Sequence, residues 1–70
     1  MVEVFKTNVK SKLAAKDLVA ELLKEFPFQD VHFDLGDRDR ILRIEASEIQ
    51  PEKVISLLFN SGFRCEILQD

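Results

Sequence analysis

A two-layer α+β sandwich is predicted by three features of this 70-residue chain. Apolar residues alternate with polar ones in short runs, which is the period of a half-buried strand. Longer runs place apolar residues three and four apart, which is the period of a helix with one buried face. The order of these segments repeats: strand, helix, strand over residues 2–9, 12–26 and 31–35, then again over 40–46, 51–60 and 64–68.

Each element has its own local signature. Ser11 is a good N-cap for the first helix. Ala15, Leu18, Val19, Leu22 and Phe26 then recur on one face. Pro27 ends that helix, because the residue before a proline is pushed out of the α region. Val31, Phe33 and Leu35 alternate with His32 and Asp34, the pattern of a strand with one wet face. The polar turn at residues 36–39 joins it as a hairpin to the strand whose inner residues are Leu42, Ile44 and Ala46. Pro51 suits the first position of the second helix, where its missing N–H costs nothing. Gln50 before it is a mediocre N-cap, and Ile49 is placed to staple onto Val54. Val54, Leu57 and Leu58 form the inner face of that helix. Gly62 stands where a left-handed residue closes a helix, and Phe63 can fold back onto Leu58. Cys65 and Ile67 are expected to face the core from the last strand.

Two β-α-β halves joined by a hairpin predict a ferredoxin-like βαββαβ sandwich spanning residues 1–70 as one domain. Right-handed crossovers put both helices on one face of a four-stranded antiparallel sheet of order 4-1-3-2. The other face is expected to be open to water, carrying Val4, Lys6, His32, Asp34, Ile41, Arg43, Glu45, Arg64, Glu66 and Leu68.

Composition removes several functional classes. The net charge of −3, with both signs interleaved, argues against a nucleic-acid binder with its basic face. The outward positions of the third strand, Ile41, Arg43 and Glu45, offer no aromatic on which a base would stack. No apolar stretch approaches the ~20 residues needed to span a bilayer. The N-terminus lacks the basic region and apolar run of an export signal. Cys65 is the single cysteine, so no intrachain disulfide forms, and a reducing, cytoplasmic setting is expected. Residues 9–15 hold neither the glycine nor the arginine of a phosphate-cradling catalytic loop. No acid is tied to a histidine or nucleophile at a recognisable spacing, so an enzyme is not expected.

Residues 49–58, the segment Asn60-Ser61-Gly62-Phe63-Arg64-Cys65-Glu66 and the strand at 31–35 resemble the heavy-metal-associated domain family. That family includes copper chaperones and the soluble domains of metal-pumping ATPases. The resemblance covers nearly the whole chain, though its motifs mostly encode packing. The family's own signature is Met-x-Cys-x-x-Cys at the first turn, where two thiolates ligate a soft metal. Counted back from the first helix, that motif falls on Lys10, Lys12 and Ala15, within about a residue. Both cysteines are missing. The resemblance therefore implies a family member without its metal site, and no cofactor is expected.

Lys10, Lys12 and Lys16 are the candidate binding residues. A helix N-terminus already attracts anions, and lysine there is slightly unfavourable for folding. The expected function is a non-enzymatic binding or interaction module, whose partner is another protein or a small anion. The expected state is a monomer or weak homodimer, with neither nucleic acid nor membrane as a partner. Two alternatives stand beside it: residual metal binding shared across a dimer, and small-anion or metabolite sensing at the lysine turn. Cys65 and His32 cannot meet in one chain, because the expected order puts them on opposite edges of the sheet.

Overall fold

The computed structural model describes residues 1–68; the last two residues of the expected domain lie outside the described residues. Six elements follow in the order β1 (Val2–Thr7), α1 (Lys12–Glu25), β2 (Asp30–Asp34), β3 (Ile41–Glu45), α2 (Pro51–Asn60) and β4 (Cys65–Ile67). The strands form one antiparallel sheet of order β2-β3-β1-β4, which is 4-1-3-2 when counted from the other edge. Its registers pair Phe5 with Leu42 and Ile67, Val31 with Ile44, and Phe33 with Leu42.

These pairings gather one face of the sheet into a single core. Phe5, Val31, Leu42, Ile44 and Cys65 from the strands are buried together with Ala15, Leu18 and Leu22 of α1 and Val54 and Leu58 of α2. The intervening residues Lys6, His32 and Arg43 share the opposite, wetter face, since successive strand side chains alternate. Ile67 departs from expectation. It pairs with Phe5 on the core side but remains more than a third exposed, because β4 is a short edge strand.

Helix ends follow their local chemistry. The Ser11 hydroxyl accepts the Ala14 N–H at 3.3 Å. Gln50 makes no side-chain cap, and Pro51 stands at the start of α2. Phe26 turns extended before Pro27 and ends α1 one residue earlier than expected, and its ring stacks on Phe28 at 4.9 Å. At the end of α2 the Phe63 N–H returns to the Leu58 carbonyl and the Gly62 N–H to the Phe59 carbonyl. This double closure requires a left-handed residue, and Gly62 has φ +95°.

Most strand limits are shorter than the alternation suggests, and at three of them side chains are the reason. β1 ends at Thr7 and not at Val9, because the Thr7 hydroxyl takes the Val9 N–H at 3.2 Å and turns the chain. The same hydroxyl donates to the Arg40 carbonyl at 2.6 Å, tying the start of β3 to the end of β1. β4 starts at Cys65 and not at Arg64, whose N–H is taken by the Asn8 side-chain oxygen at 2.7 Å. β3 starts after Arg40, which lies in the left-handed region at φ 47°. Its guanidinium donates to the carbonyls of Leu35 and Asp37, which closes the hairpin loop around it.

Candidate functional site

The three lysines do not form one cluster of equal members. Lys12 is the first residue of α1 and Lys16 lies one turn further on; both line a groove of about 340 Å³ between α1 and the edge strand β2. Lys10 is exposed on the preceding turn and does not line the groove.

Four apolar side chains give the groove its floor: Ala15 and Val19 from α1, and Val31 and Phe33 from β2. Leu35 extends it toward the hairpin loop, and His32 stands at its rim. Sequence reasoning placed Phe33 in the core and His32 on the open face, and missed that both border the lysines. The signal was available: β2 is an edge strand, so among the described residues no further strand lies beyond it beside α1.

The electrostatics of the groove are one-sided. Among the described residues neither Lys12 nor Lys16 has a carboxylate within ion-pair distance. Of the two acids on β2, Asp34 accepts the Gly36 N–H through its Oδ1, and Asp30 is engaged at the other end of the strand. The Asp30 Oδ2 lies 3.4 Å from His32 Nδ1 and 3.7 Å from an Arg43 guanidinium nitrogen. Arg43 also approaches Glu45 at 3.9 Å. The groove therefore presents two free ammonium groups beside an apolar floor, although the chain as a whole is acidic.

A metal does not fit the first turn. A lysine ammonium donates hydrogen bonds and offers no lone pair. Ala15 offers no donor atom at all. Among the described residues no three of the histidine, cysteine and acidic side chains converge as a ligand set. Cys65 and His32 lie on β4 and β2, the opposite edges of the sheet. Burial, followed by the neighbouring Glu66 charge, pushes the Cys65 thiol up to about 12. The thiolate that a soft metal needs is thus suppressed at neutral pH.

This burial has a measurable consequence. With its pKa moved from 9.0 to about 12, Cys65 holds roughly a thousandfold less thiolate at pH 8. Alkylation by iodoacetamide is expected to slow by about that factor in the native protein relative to the urea-unfolded chain. Native and unfolded rates within tenfold would contradict it. The linked stability has a definite sign. The thiol is held protonated by folding, so its contribution is complete below pH 9.0 and is lost as pH rises toward about 12.

A second groove lies at the other edge, between α2 and β4. Ile55, Phe59 and Phe63 line it, with Lys6, Arg64 and Glu66 mixing both charges. Phe59 is 74% exposed, an apolar surface that helical periodicity did not single out.

No family model matches the chain, and no curated protein or solved structure matches it either.

Proposed function

We propose that the chain is a non-enzymatic interaction module on a ferredoxin-like fold, similar to a heavy-metal-associated domain in which a cationic groove stands where that family holds its metal. The observation that carries this reading is the pair Lys12 and Lys16. Both are exposed, free of carboxylate partners among the described residues, and set against an apolar floor. A solvated surface turn needs no such floor. The partner this arrangement suits is an acidic segment of another protein.

Magnitudes favour a protein partner over a small free anion. Each exposed ion pair contributes about 0.2–1 kcal/mol. Two of them give about 2 kcal/mol at most, whereas even millimolar affinity needs about 4 kcal/mol. The apolar floor and backbone contacts must supply the rest, and inorganic phosphate can use neither.

Titration of the labelled protein with hexaglutamate, followed by amide NMR at low salt, tests this. Shifts centred on Lys12 and Lys16 at millimolar peptide are expected, with little response to equimolar phosphate. Equal shifts with phosphate would favour the anion-sensing alternative. Silence at these amides with both would remove the groove as a binding surface.

A further inference from the structure

The open edge of β2 suggests how an acidic segment is held. The Ala46 N–H donates to the Met1 carbonyl at 3.0 Å, which makes that opposed pair a hydrogen-bonded one. Antiparallel ladders alternate, so Ile44 and Leu42 also turn their backbone groups toward β1. Ile41, Arg43 and Glu45 then turn theirs toward β2, where they meet Asp34, His32 and Asp30. The N–H and C=O groups of Val31 and Phe33 are left pointing away from the sheet. They lie alongside the groove that Lys12 and Lys16 border.

We infer that this edge receives an extended, acidic segment of a partner protein as a fifth strand, with its acids reaching Lys12 and Lys16. This deepens the interaction reading above and rests on it. Strand addition supplies backbone hydrogen bonds, and the groove supplies selectivity at alternate side chains. The lysines, four apart on a helix, are separated by about 6 Å along its axis. Alternate residues of a strand are separated by about 6.6–6.8 Å. The spacings match, so the recognised pattern carries acids at positions i and i+2 on the helix side. β1 and β2 are both antiparallel to β3, so α1, which links the end of one to the start of the other, runs against β2. A segment antiparallel to β2 therefore runs with α1. It passes Lys12, then Lys16, then Val19, which gives the order acid-x-acid-x-apolar. The x positions lie on the other face beside Asp34, and there neutral or basic residues fit.

Charge also selects against a second copy of this chain. The helix-side residues of its own β2 are Val31 and Phe33, which bring no acid. The α2–β4 groove is the weaker candidate, with an edge of three residues and mixed charges.

The probe is a capped pentapeptide, glutamate-threonine-glutamate-threonine-valine, and its control replaces both glutamates by lysine. Hydrogen exchange of the full chain is read by NMR with and without saturating probe. Exchange at the Val31 and Phe33 amides is expected to slow at least tenfold with the probe and not with the control. The double variant Lys12→Glu, Lys16→Glu is expected to weaken probe binding at least tenfold. Binding without protection of those two amides would overturn strand addition while leaving the interaction reading intact. Equal protection by the control peptide would overturn the acidic preference. No probe binding at millimolar concentration, with hexaglutamate still shifting Lys12 and Lys16, would overturn this inference alone.

Discussion

Phe5→Ala is expected to remove about 3–5 kcal/mol of folding stability. Phe5 is fully buried on β1, a central strand, where it pairs with Leu42 on one side and Ile67 on the other. Truncation loses the transfer energy of the ring and leaves a cavity that the rest of the core fills only in part. A chain of this size is stable by roughly 4–10 kcal/mol, so the loss takes about three tenths of the total or more. Urea unfolding followed by circular dichroism reads it as a large fall in the midpoint. The comparison is Leu13→Ala, at a residue 76% exposed, which is expected to stay within about 0.5 kcal/mol of the parent. A loss below 1 kcal/mol at Phe5 would mean that the core is centred elsewhere.

The second large effect is expected at Thr7→Val, a change that barely alters side-chain volume. The Thr7 hydroxyl is a two-way latch, donating to the Arg40 carbonyl and accepting from the Val9 N–H. Valine leaves both groups without that partner, and Val9 is fully buried. An orphaned buried polar group costs about 1–3 kcal/mol, so a loss of about 2–4 kcal/mol is expected for the pair. Thr7→Ser keeps the hydroxyl and is expected to retain most of the difference. Faster hydrogen exchange at the Val9 amide in the valine variant would locate the damage at the latch. Equal stability of the valine and serine variants would contradict its role. The latch also bears on the groove, since it fixes the turn that launches α1 and the loop that follows β2.

Periodicity made the elements legible, and single side chains hid their ends. Alternation and helical spacing depend on which face is buried, and that pattern is written in every strand and helix of this chain. The caps at Ser11, Pro51 and Gly62 were equally readable, because each rests on a local conformational rule. Thr7 and Asn8 were not, because their partners Arg40 and Arg64 lie 33 and 56 residues away. No local pattern reports such a bond. Arg40 was hidden for a related reason: the hairpin loop's left-handed position fell on an arginine, while Gly36 in the same loop has no positive φ.

The candidate site was half legible. Lysines at the start of a helix are visible in the chain, as is the absence of cysteine from that turn. The groove beneath Lys12 and Lys16 is a product of topology. It exists because β2 takes the sheet edge beside α1, which leaves Phe33 half-buried at the border and not enclosed. Lys10 has the same charge and sequence neighbourhood but lies outside the groove lining.

A Cu(I) competition titration against a chromophoric chelator tests the proposal that a cationic surface has replaced metal chelation. No stoichiometric copper is expected to transfer to the monomer, because the first turn offers ammonium groups and Cys65 is held as a buried thiol. Tight one-to-one binding by the monomer would contradict the account and restore a metal role to this fold.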